Sequence, residues 1–302
     1  MRARASRSCS PRCSRACTGR NASVRLTGIA VHPVKSTAIR PLPASEVLPR
    51  GLADDRSWIV VDGAGAAVTA REAHALLAVV ADTPATWPGL GAALRLRAPG
   101  LDALHVGLPA GDPVPVRLFS RELRGIPAGV EADAWLCKAL GRDDLRLVWC
   151  DDPTRRRLNP VYTREGDHTA YADGYPVTLA STASLARLND WVAETAVERG
   201  EEPVAVPMER FRPNLVVDGN EPFAEDGWSR VQVGEVRLRM AKPSDRCVLT
   251  TVDLDTLETG KEPIRTLARH RRAADGTVLF AVNLIPETTG RITLGDEVTV
   301  LD

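Results

Sequence analysis

Cys247 has the chemically richest surroundings in this chain. It lies in Ala241–Gly260 (AKPSDRCVLTTVDLDTLETG), after Lys242, Asp245 and Arg246 and before Thr250 and Thr251. A thiol beside a guanidinium and near an ammonium favours its thiolate, the form that attacks or binds metal. The same cysteine would also serve as a small packed hydrophobe ahead of a strand. Asp245 could move protons, or simply pair with Arg246.

Other polar groups recur at the ends of apolar segments. Lys35 and Ser36 follow His32-Pro33, where a proline would end a strand and expose the next residues. Arg56 follows Asp54 and Asp55 and would pair with one of them at the surface. Ser181 stands where a strand meets a helix, a good N-cap at a terminus that also suits an anion. In Met208–Val217 (MERFRPNLVV), Arg210 and Arg212 flank Phe211, with Asn214 beyond. Alternate positions of an extended segment put both guanidinium forks on one side, a geometry that suits phosphate or carboxylate. Lys35, Ser36, Arg56, Ser181, Arg212, Asn214 and Arg246 could therefore surround an anionic, phosphorylated cofactor. Cys247 would lend its thiolate to a metal that the cofactor carries. One cysteine is too few for a zinc or iron–sulfur site of the protein's own.

The composition narrows the classes. Of 302 residues, 39 are basic and 39 acidic, and residues 1–20 hold six arginines and no acid. The body is thus mildly acidic, without a general basic surface for nucleic acid. No apolar run is long enough to span a membrane. The six cysteines follow no zinc or disulfide rhythm, which suits a reducing, cytoplasmic setting. The head, with Cys9, Cys13 and Cys17, reads as a disordered basic segment over residues 1–23, with Val24 a natural beginning.

The elements that must position the chemistry are mostly short strands. Val24–Val31, Ala44–Leu48 and Ser57–Val61 read as strands, and Asp62–Gly65 as a hairpin loop returning through Val68–Arg71. Val79–Asp82, Leu94–Ala98, Ala103–Val106 and Val114–Leu118 suit a barrel or curled sheet. Glu131–Leu140 reads as a helix stopped by Gly141. Asp151–Asp173 reads as a long polar loop in which Arg155, Arg156 and Arg157 form a solvated run. Beyond it come a strand to Ser181, a helix, strands about Gly234, a short helix after Pro263, a buried strand Val278–Ile285 and a closing hairpin Gly290–Leu301. The fold expected is α+β and mainly β, barrel-like, with a few short helices.

Six segments, in order, carry a resemblance: HPVKS, DDRSWIVVD, VTAR, ADGYPVTLAS, RFRPNLVV and DRCVLTTVD. Together they resemble the MOSC-domain molybdenum-cofactor proteins, in particular the mitochondrial amidoxime reducing component and its bacterial relatives. The resemblance covers residues 24–302. It implies an amino-terminal β-barrel domain over 24–150 packed on a MOSC β-barrel domain over 151–302. It implies that Lys35, Ser36, Arg56, Ser181, Arg212 and Asn214 hold the molybdopterin, that Arg246 precedes the metal ligand Cys247, and that Asn283 lies near the cofactor. The implied reaction is reductive removal of oxygen from small N-hydroxylated compounds such as amidoximes or hydroxylamines. No ferredoxin-type cysteine cluster follows, so a separate ferredoxin-like or cytochrome b5-like donor is expected.

Two other readings compete. MOSC units also occur at the end of molybdenum-cofactor sulfurases, behind a pyridoxal-phosphate domain, so a non-catalytic carrier or sulfur-handling protein is one. A cysteine hydrolase is the other; it needs a histidine base such as His32 or His270 beside Cys247.

Overall fold

Val24–Val31 (VRLTGIAV) forms a strand because branched residues suit a pleated, half-buried surface, and Leu26, Ile29 and Val31 are buried on it. The computed structural model describes residues 23–301, so the basic head read as disordered lies outside the described residues but for Ser23. The strand runs antiparallel to Leu215–Val217 on one side and to Glu297–Leu301 on the other. It thereby closes a seven-stranded barrel whose other members are Arg230–Val233, Val236–Asp245, Leu279–Pro286 and Val177–Ser181. The last of these pairs in parallel with Leu215–Val217. Parallel neighbours need a crossover, and helix α2 (Thr182–Arg199) lies within it. The core includes Leu26, Leu179, Leu215, Val231 and Leu238, each at most 1% exposed. Burying each such side chain stabilises the fold by about 1.5–3 kcal/mol.

The rest of the chain builds smaller sheets beside the barrel. Trp58–Val61, Arg146–Trp149, Arg121–Pro127 and Val114–Leu118 form a four-stranded antiparallel sheet. Val80–Asp82, Leu94–Arg97 and Leu104–Val106 form a three-stranded sheet. Helix α1 (Val130–Leu140) packs Leu136 into a second core with Leu94, Leu96 and Val106 of that sheet and ends at Gly141 in the left-handed region, φ 65°. Ala44–Leu48 pairs with Gly290–Thr293, so strands distant in sequence are interleaved. The fold is mainly β, as expected, with only three α-helices among the described residues.

Local expectations fail where long-range pairing wins. Val68–Arg71 is not a strand. Trp58–Val61 pairs with Arg146–Trp149, and the returning segment meets it through a bridge from Val61 to Ala67 and through the Val68 N–H, which donates to the Val60 carbonyl at 2.9 Å. Met208–Phe211 is a turn of 3-10 helix rather than extended chain, and Arg212 follows it at φ 52°. Gly290–Thr293 and Glu297–Leu301 do not form a hairpin with each other, because they join different sheets. Arg156 is not solvated. It is 6% exposed, and its guanidinium donates to the carbonyls of Ala170, Ala172 and Asp173.

Candidate functional site

The strand Val236–Asp245 delivers Cys247. Its pairing with Leu279–Pro286 is irregular at Met240/Lys242 and again at Pro243/Asp245. Such bulges bend a strand and re-aim its side chains. Arg246 then anchors the end by donating its backbone N–H to Val278 at 2.7 Å. The half-buried Cys247 begins the 3-10 turn Val248–Thr251, where its carbonyl accepts from the Thr250 backbone at 3.2 Å and the Thr250 hydroxyl at 3.0 Å. The thiol lines a cleft of about 310 Å³ at the rim of the barrel.

Six cationic side chains and two carboxylates line that cleft: Lys35, Arg56, Arg71, Arg210, Arg212 and Arg246 against Asp173 and Asp245. Ser36 and Asn283 line it as well. Lys35 and Ser36 are buried rather than exposed, at 4% and 8%. The Lys35 ammonium donates to the Tyr171 carbonyl at 2.9 Å and to Asp173. Burial pulls its pKa down to about 8, against the opposing pull of the Asp173 carboxylate. Asp173 is pushed up by burial, but Lys35 and Arg71 outweigh that and hold it well below the usual carboxylate range.

Arg56 is not a surface pair. It donates to the buried Asp55 at 2.5 Å, to the Asn214 side chain at 3.2 Å and toward the Arg212 carbonyl at 3.4 Å. Asp55 in turn accepts from the His32 backbone at 2.8 Å. Burial pushes the Asp55 carboxyl up, yet Arg56 and His32 together hold it far below its ordinary value. Burial and the neighbouring Arg56 lower Arg212 to about 9. Arg246 is lowered too, chiefly by burial, and it donates to Ser244 and to the Phe211 carbonyl, both at 2.8 Å.

Two residues expected at the cofactor stand behind the cleft instead. Ser181 is an N-cap, its hydroxyl accepting from Ala183 at 3.2 Å at the start of α2. Asn214 is 1% exposed; its side chain accepts from Thr178 at 3.1 Å and donates to the Ala30 carbonyl at 3.1 Å. Neither is among the residues lining the cleft, and Asn214 braces two that are, Arg56 and Thr178. Asp245 lines the cleft but pairs with Lys242 at 2.9 Å, not with Arg246. Burial pushes Asp245 up, and Lys242 more than offsets this, leaving its pKa below the ordinary value. At neutral pH it is a carboxylate that can accept a proton but not give one.

Arg71, Phe119, Asp173 and Tyr175 join the cleft without having been read as site residues. Arg71 lies in the quoted VTAR segment, and only its convergence on Cys247 and Asp173 marks it. Burial pulls Arg71 down, while the Cys247 sulfur and Asp173 raise it overall. Of the eight non-glycine residues with positive φ among the described residues, four, Ser36, Arg56, Phe119 and Arg212, line this one cleft. Each such position costs roughly 1 kcal/mol or more, and such strain clusters at functional sites.

Two observations bear on whether an anionic cofactor fits. The cations outnumber the carboxylates in a partly desolvated cleft, and the buried Nε atoms of Arg210 and Arg246 have no partner among the described residues. An anion supplies what both need. Cys247 belongs to no group of three or more His, Cys, Asp or Glu among the described residues that could hold a metal. A metal there needs ligands from a bound group. Neither histidine proposed as a base lines the cleft. His32 is fully buried against Asp55, and His270 stacks on Trp191 with centroids 4.2 Å apart.

A MOSC N-terminal beta barrel domain profile matches residues 23–143, and a MOSC domain profile matches residues 166–299. The chain is 32% identical to the mitochondrial amidoxime reducing component 2 of Rattus norvegicus over 289 residues, covering 89% of this chain and 80% of that protein. It is 30% identical to the human mitochondrial amidoxime-reducing component 1 over 292 residues, covering 90% and 81%. A Xenopus laevis relative of the same name is 31% identical over 291 residues. With both domains matched in order and these relatives aligned over most of their length, the chain belongs to the MOSC-domain family that includes the amidoxime reducing components.

Proposed function

We propose that this protein is a molybdenum-cofactor-dependent oxidoreductase that removes oxygen from small N-hydroxylated compounds. One observation carries the reading. A single cleft collects a half-buried thiol and six cations with too few carboxylates to balance them. The relatives' names, which specify amidoxime reduction, agree with it.

Lys35, Ser36, Arg56, Arg212 and Arg246 would hold the phosphate and pterin of the molybdopterin, with Asn283 beside them. Asn214 keeps Arg56 and Thr178 in place, and Ser181 caps α2. Cys247 would be the protein's ligand to the metal, alongside the sulfurs of the pterin. The bound group supplies the two-electron oxygen-atom chemistry. The chain's own work is to orient that group, offset its charge and limit water. Buried guanidiniums act strongly on an anion because little solvent screens them. The Asp245 carboxylate, held ionised by Lys242, could take up a proton at the cleft. Electrons would come from a separate ferredoxin-like or cytochrome b5-like carrier.

The test is to make the protein in a host that synthesises molybdenum cofactor and to measure molybdenum and pterin in wild type and Cys247→Ala. About one molybdenum per chain, lost or spectrally altered in the variant, supports the site. Turnover of an amidoxime with an artificial electron donor then separates a reductase from a carrier. Wild-type protein free of both metal and pterin would sink the reading.

A further inference from the structure

The hairpin between Val114–Leu118 and Arg121–Pro127 turns through Phe119 and Ser120, since Leu118 pairs with Arg121. A two-residue hairpin with positive φ at its first central position favours glycine there. Phe119 occupies that position at φ 54° and is 47% exposed. A bulky aromatic works against the turn and leaves apolar surface in water. The hairpin's own packing does not require it: Val116, Leu118 and Leu123 enter the core, and Phe119 does not. The ring lies on the cleft instead, with the Lys35 ammonium 5.6 Å and the Arg71 guanidinium 5.1 Å from its centroid. Those cations hold it in place.

We propose that Phe119 is a specificity-determining residue whose ring stacks a planar aryl group of the substrate. This rests on reading the cleft as the site of an N-hydroxylated substrate reductase. The cleft is graded. Lys35 is nearly fully buried, whereas Phe119 stands half exposed with the half-buried Tyr175 and Leu249 also on the lining. Burial raises the Tyr175 phenol to about 12, so it stays a neutral donor. Phosphate chemistry belongs with the cations, and a flat uncharged ring belongs on the aromatic. An aryl group conjugated to the carbon that bears the N–OH is flat, and offset stacking on the Phe119 ring suits it. Local strain is kept at Phe119 because the ring serves a ligand rather than the fold.

The experiment measures equilibrium binding of two amidoximes to cofactor-loaded protein without an electron donor. One carries a phenyl group, the other a methyl. Wild type should bind the phenyl compound about tenfold more tightly, from stacking and ring burial. Phe119→Gly should remove most of that preference by weakening the phenyl compound far more than the methyl one, and melt no lower than wild type because the turn is relieved. Phe119→Trp should keep the preference. Retention of the preference in Phe119→Gly overturns the proposal, as does equal weakening of both ligands. Loss of molybdenum and pterin from Phe119→Gly also overturns it, since the ring would then serve the cofactor. Failure of wild type to turn over either compound with an artificial donor sinks the reductase reading alone, because the binding preference is scored without turnover.

Discussion

Arg56 donates to the side-chain oxygen of Asn214 at 3.2 Å, across 158 residues of sequence. The same oxygen accepts from the Thr178 backbone, and the Asn214 amide nitrogen donates to Ala30. One buried side chain thus ties the first strand, the strand before α2 and a cleft guanidinium together. This relationship explains how a cluster of like charges can be held so close. Arg56, Arg212 and Arg246 each spend part of their donor set on fixed oxygens of the protein.

Asn214→Leu should therefore be a structural and a functional lesion at once. It leaves the Thr178 N–H and the Ala30 carbonyl without their side-chain partner and frees Arg56. A loss of about 2–4 kcal/mol is expected from groups buried unpaired. Urea unfolding measures it, and pyrophosphate affinity should fall in the folded variant. Unchanged stability would show that water replaces those bonds.

The Lys35 ammonium predicts a pH dependence. Its pKa sits at about 8 in the fold, below the ordinary 10.5. Between those values the unfolded chain binds more protons than the folded one, so the Lys35 contribution to stability rises with pH there. Wild type should gain on Lys35→Met by on the order of 3 kcal/mol from pH 8 to 10.5. Pyrophosphate binding should show the opposite trend, weakening above pH 8 by up to about tenfold per unit, and more steeply in wild type than in Lys35→Met, as the free ammonium discharges. Profiles of equal slope in wild type and Lys35→Met would show that Lys35 does not meet the anion.

Gly125 should tolerate no side chain. A Cβ there would meet the Tyr171 hydroxyl and come within 2.5 Å of the Trp149 carbonyl. Tyr171 is 1% exposed, and its carbonyl accepts from Lys35. Gly125→Ala should lower stability by about 1–3 kcal/mol through overpacking and weaken pyrophosphate binding through Lys35. Thermal melting and titration check both. A variant as stable as wild type would show that Tyr171 can move aside.

What the sequence determined by itself was local. Alternation and branching mark Val24–Val31 and Ala44–Leu48 as strands, and the Ser181 cap marks the start of α2, because these signals lie within a few residues of the structure they specify. Residue types likewise identify Lys35, Arg56, Arg212, Arg246 and Cys247 as groups able to meet an anion and a metal. Only the tertiary structure decided which of them meet. The first strand closes a barrel built mostly of residues 177–301, which no local period encodes. That closure brings Lys35 and Arg56 to Cys247. It also turns Arg210 and Arg212 through a 3-10 turn, sets Asn214 and Ser181 behind the wall, and adds Arg71 and Phe119. Strand pairing is chosen by burial across the whole chain, so the convergence of side chains is a property of the packed barrel and not of any one segment.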